Sequence, residues 1–182
     1  MERLAKAAIL TDLAEQLRRK ESWCGETHLQ KAVHFLQDLL EVPLGFSFVL
    51  YKHGPFSFDL REELASMRAD GLLEIEPQQE PYGPRLVPTE RGRLLRDRYP
   101  KTLARFSRRI GFVADRLGDK GASKLERLGT ALLMKLRDPE TGLDELADKI
   151  HAFKPHVSVE NARLALQEVD EIIKEAQDYK AA

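Results

Sequence analysis

Apolar side chains recur along this chain mostly with the spacing of a helix and only briefly with that of a strand. From Arg3 to Arg19, residues Ile9, Leu10, Leu13 and Leu17 fall on one stripe, which predicts a first helix. The pattern breaks between Glu21 and Glu26, around Ser22 and Gly25. Thr27, followed three positions later by Gln30, has the form of a capping box. It precedes the clearest helix of the chain, whose core face is Leu29, Ala32, Val33, Leu36, Leu39 and Leu40. Val42, Pro43 and Gly45 end that helix, and the aromatic, β-branched stretch Phe46 to Tyr51 predicts a strand. His53-Gly54-Pro55 predicts a turn. Ser57 is placed to cap a third helix from Phe58 to Ala69, with Leu60, Leu64 and Met67 turned inward and Asp70-Gly71 as its stop.

The rhythm then changes. Leu72 to Pro77 and Pro84 to Thr89 read as two short strands around a polar loop, the form of a β wing. Thr89 caps a helix containing Leu94 and Leu95, which closes at Tyr99-Pro100 because a residue before proline avoids the helical region. Every later segment is helical. One stripe runs through Leu103, Phe106, Ile110, Val113, Ala114 and Leu117, and another through Leu125, Leu128, Leu132 and Leu136 behind a second capping box, Ser123 with Glu126. A short helix carries Leu143, Leu146 and Ile150. The last, started by Ser158, carries Ala162, Leu166, Val169 and Ile173. This order predicts an α+β, mostly helical fold: a winged-helix-like unit over residues 1–98 and a helical extension over 99–182 that either enlarges the first core or pairs two copies as a homodimer.

Composition narrows the class. Of 182 residues, 42% are hydrophobic and 32% charged, as in an ordinary folded chain. The single cysteine, Cys24, excludes an intramolecular disulfide and fits a reducing, cytoplasmic setting. Asp12 and Glu15 interrupt the first apolar stretch, so it is expected to be a helix rather than a leader. No apolar run approaches the roughly 18 residues of a membrane span. Cys24, His28, His34 and His53 match no zinc spacing, since His28 and His34 lie on different sides of one helix, and no metal or other cofactor is expected. Phosphate-cradling glycine motifs and an activated nucleophile are likewise not evident, which argues against an enzyme.

Net charge is only −1, but between Arg91 and Arg109 eight basic residues face one acid, Asp97. Arg91, Arg93, Arg98, Arg105, Arg108 and Arg109 are therefore candidate contacts to double-stranded DNA, with a solvated helix surface as the competing explanation. The helix before the wing is a poor groove reader, because Asp59, Glu62, Glu63 and Asp70 outnumber Arg61 and Arg68. Aromatics near turns can equally anchor a protein partner, and Trp23, Tyr82 and the turn residue His53 are the candidates for that role.

Four fragments in combination carry a family likeness: Leu29 to Leu36, Tyr51 to Ser57, the Asp70-Gly71-Leu72-Leu73 turn and Pro88 to Gly92. Over about residues 5 to 98 the chain resembles the YwgA-like bacterial proteins and, more distantly, the Panacea antitoxin-type domain, which shares the Leu-Gln-Lys helix and the Gly-Pro turn. The likeness implies a winged-helix-like fold and a role in regulation, toxin neutralisation or another defence-related interaction. It brings no catalytic residue with it. The positions that match are Leu29, Gln30, Lys31, His53, Gly54, Pro55 and Ser57.

Overall fold

The structure, a computed structural model, describes residues 1–22, 24–79 and 83–180. Eight α-helices and two small antiparallel sheets follow one another along the described chain. Helix α1 (Arg3–Arg19) is the central element, with α4 (Glu90–Arg98) and α5 (Pro100–Leu117) packed along it. Helix α2 (Glu26–His34) continues into a π-helical turn, Phe35–Leu39. A hairpin follows, β1 (Val49–Tyr51) with β2 (Gly54–Phe56), and then α3 (Phe58–Ala69). The second hairpin, β3 (Leu73–Glu76) with β4 (Arg85–Pro88), leads into α4. Helices α6 (Ala122–Arg137), α7 (Leu143–Phe153) and α8 (Val159–Lys180) complete the fold.

The chain is thus α+β and mostly helical, as its pattern predicts. Ser57 Oγ accepts from the Leu60 N–H and Thr89 Oγ from the Gly92 N–H, so α3 and α4 start at their expected caps. Gly71, at φ +67°, ends α3. Buried side chains from Ala7 to Ala176 form one continuous cluster. The core therefore crosses Pro100: α5 lies on α1, and α6 lies on α2 and β2, so residues 1–98 and 99–182 share a single interior. No described helix is long and apolar enough to cross a membrane.

Three local expectations are corrected. Phe46 to Phe48 are not strand, because the Gln37 side chain takes both backbone groups of Phe46, at 2.7 Å each, and leaves none for a ladder. Gly54-Pro55 belongs to β2 and not to the turn, which is Lys52-His53. Neither capping box forms: α2 and α6 begin behind Gly25 and Gly121, with no side-chain cap, and Thr27 and Ser123 already lie inside the helices.

Candidate functional site

Gln30 and Lys31 sit on the buried side of α2, although both are polar. Their side chains hold the segment that follows β1. The Gln30 amide accepts from the Ser57 N–H at 2.8 Å and donates to the Ser57 carbonyl at 3.0 Å. Lys31 Nζ donates to the Pro55 carbonyl at 3.0 Å. That carbonyl points away from β1, and so does the Pro55 nitrogen, which explains how a residue without an N–H fits this two-stranded sheet.

From the other side, Lys154 at the end of α7 donates to the carbonyls of Tyr51 (3.1 Å) and Lys52 (2.7 Å) and to Glu126 Oε1 (2.8 Å). Glycine is required where the hairpin meets α6. Gly54 has φ +84°, and a Cβ there would stand 3.1 Å from both the Glu126 carbonyl and Thr130 Oγ. Two lysines, one glutamine and a glycine contact thus clamp the β1–β2 hairpin to the helical body.

Burying these charges shifts their proton equilibria. Desolvation pulls the Lys31 ammonium down to about 8, Lys154 lowers it further, and Glu126 opposes both by favouring the charged form. Burial alone would raise Glu126, but hydrogen bonds from Lys154 and His156 outweigh it and hold the carboxyl below its ordinary range. A cleft of about 710 Å³ opens beside this cluster, walled by Lys52, His53, Glu126, Phe153, Lys154 and His156. On its rim, His156 Nε2 lies 3.1 Å from Glu126 Oε1 and His53 Nδ1 lies 3.8 Å from Oε2.

The outer side of the hairpin is aromatic. Tyr51, Phe56 and Phe58 meet with ring centroids 5.1 to 5.6 Å apart, and the two Phe58 contacts are edge-to-face. Tyr51 is 55% and Phe58 50% exposed, with Val49 beside them at 42%. Large apolar side chains from β1, β2 and the first residue of α3 thus gather in one exposed patch beside the clamped hairpin. In the sequence Glu126 reads as a capping-box partner and Lys31 and Tyr51 only as parts of the fragments that carry a family likeness, and Lys154 gives no signal; none of these signals points to the cluster they form.

The basic run is dispersed. Arg93 approaches Glu15 at 3.5 Å and Arg96 binds Asp12 at 2.6 Å, both on α1. Arg109 donates to the carbonyls of Leu40, Tyr179 and Lys180, where it caps the ends of the π turn and α8. Arg91, Arg98, Arg105 and Arg108 are exposed, and Arg108 rests over the Tyr179 ring at 5.3 Å. Lys101, Arg105 and Arg108 share one outward stripe of α5 by their helical spacing. His53 stands at the tip of the β1–β2 hairpin, whereas Trp23 and Tyr82 lie outside the described residues.

A second cleft, of about 760 Å³, separates α3 and the β3–β4 hairpin from the first turns of α2 and α6. Its lining mixes charge, with Arg61, Arg68 and Lys120 against Glu21, Glu26 and Asp119. His28 lies buried at its edge with Nδ1 2.8 Å from Ser22 Oγ. Burial drives its pKa down to about 4, against weaker opposing effects of the Leu117 carbonyl and Asp119. Burial also pushes the Cys24 thiol up to about 12, which favours its protonated form. In comparison with known proteins, no family model and no curated protein matches this chain.

Proposed function

We propose that this chain is a noncatalytic regulatory protein that works by binding another protein, as an adaptor or antitoxin-type module, through the outer side of its β1–β2 hairpin. The observation that carries this reading is the exposed Tyr51–Phe56–Phe58 cluster, spanning the β1–β2 hairpin and the start of α3, with the backbone beneath it held by Gln30, Lys31 and Lys154. A preorganised apolar surface binds with little ordering cost. The winged-helix-like character of residues 1–98 belongs to the same proposal: α3 is followed by the β3–β4 hairpin in the order of helix and wing. The test is a photo-crosslinking amino acid placed at Phe58 in the living host, with Leu164, exposed on α8, as the comparison position. A discrete protein adduct from position 58 and none from 164 is the expected result. Identical adduct patterns from both positions would sink the proposal.

A second reading rests on the stripe of Lys101, Arg105 and Arg108, extended by Arg98 and Arg91, which carries no ion pair among the described residues. Such a stripe would hold a DNA backbone without reading its sequence. Mobility shifts at low and moderate salt, with an Arg98, Arg105 and Arg108 to alanine variant, decide it. Binding through phosphates must weaken with salt and in the variant.

A further inference from the structure

The aromatic patch and the 710 Å³ cleft are one surface, because Tyr51 belongs to both: its ring packs on Phe56 and Phe58, and it also lines the cleft beside Lys52, His53 and His156. Taking that surface to be a protein-docking site, we propose that the segment it receives is acidic as well as apolar, seating apolar side chains on the three rings and a carboxylate at the mouth of the cleft. Charge complementarity is the argument. Among the described lining residues Glu126 is the only carboxylate; it pairs with Lys154, Lys52 lines the same cleft, Lys31 lies within electrostatic reach of both Glu126 and Lys154, and two histidines stand on the rim. An acidic guest therefore enters a positive field.

The donors available to it can be named. The Lys154 ammonium already gives to Tyr51, Lys52 and Glu126, so it supplies field and not contact. Lys52 and His53 are exposed on the turn and are left to meet the carboxylate, whereas His156 on the opposite rim already engages Glu126 through Nε2. Phe153, 65% exposed, offers an apolar wall next to them. A single-stranded nucleic acid fits less well. Bases stack on open ring faces, whereas here Phe58 meets each neighbour edge-to-face.

The experiment is display selection of random dodecapeptides on the full chain, followed by fluorescence anisotropy with one selected peptide. Two variants are compared, Phe58→Ser and the double variant Lys52→Glu with His53→Gln, each checked for unchanged thermal unfolding. The expected result is enrichment of Asp and Glu next to Leu, Phe or Trp, with affinity falling about tenfold or more in both variants and on raising salt. Peptides lost in Phe58→Ser but carrying no acidic bias, and indifferent to the double variant, would overturn the acidic preference while leaving the docking surface in place. If Phe58→Ser affects no selected peptide, docking and acidic preference fall together. Tighter binding of oligodeoxythymidylate with the same variant dependence would overturn the proposal in favour of nucleic acid.

Discussion

Gly54→Ala tests the clamp directly. The native backbone at this position has φ +84°, a conformation that costs an L-residue about 1–2 kcal/mol. The added methyl would also stand 3.1 Å from the Glu126 carbonyl and from Thr130 Oγ, and 3.4 Å from Lys31 Cε. The first of these is main chain within α6 and cannot turn aside, so crowding adds about 1–3 kcal/mol. The expected loss is about 3 kcal/mol in all, which for a chain of this size lowers Tm by about 9 °C. Urea unfolding followed by far-UV circular dichroism measures it, with an unchanged m-value showing that the cost falls on the native state. Gly129→Ala supplies the contrast. Its Cβ would approach the same hairpin, 3.1 Å from Pro55 Cδ and 3.2 Å from Lys31 Cγ. Here the backbone is helical and alanine is preferred by about 1 kcal/mol, which offsets the milder crowding against the Pro55 ring and the Lys31 stem. Gly129→Ala should therefore come out near neutral. Equal losses in the two variants, or a loss below about 1 kcal/mol in Gly54→Ala, would refute the argument that the hairpin needs a left-handed residue pressed on α6.

Gln30→Leu should cost about 2–4 kcal/mol, because it strands both backbone groups of Ser57 in the interior. A urea midpoint equal to the wild type would disprove that pairing. His28 is neutral in the folded chain down to about pH 4 but takes a proton near 6.5 when unfolded. Its contribution is complete above pH 6.5 and is lost as the pH falls toward 4, by about 3 kcal/mol. Unfolding free energies measured from pH 7 to 4 should show this slope, and a His28→Asn variant with the same slope would exclude His28 as its source. Arg109→Met should destabilise by about 2 kcal/mol and speed hydrogen exchange at the end of α8, because it removes the donors to Leu40, Tyr179 and Lys180. Unchanged exchange there would return Arg109 to the pool of surface cations.

The elements that could be read from the sequence are those decided locally. Ser57 and Thr89 cap the helices they precede, Gly71 closes α3, and the stripes of α1, α5 and α8 are buried as their spacing requires. Where the reading departs, a tertiary contact competes for the same atoms. Gln30 and Glu126 have the spacing of capping-box partners, yet their side chains bind Ser57 and Lys154, 27 and 28 residues away. Phe46 has the composition of a strand residue, yet Gln37 takes both its backbone groups. Local motifs count what a residue can do, and only the fold decides which of those options is used.

The same competition governs the candidate site. Arg93 and Arg109 count equally with Arg98 and Arg105 in a linear tally of charge, but the first two are turned onto Glu15 and onto helix-end carbonyls. Lys31 presents the opposite case. A lysine one position from Ala32 on an apolar helix is expected to reach for solvent, and the Pro55 carbonyl, with the field of Glu126, explains why it stays inside. Gln30, Lys31, Gly54, Pro55 and Ser57, dispersed over two fragments of sequence, are one set of mutual contacts. These residues build the hairpin scaffold of this chain. What the scaffold binds would be decided by side chains it carries outward, Tyr51, Lys52 and Phe58, which are free to differ without disturbing the clamp beneath them.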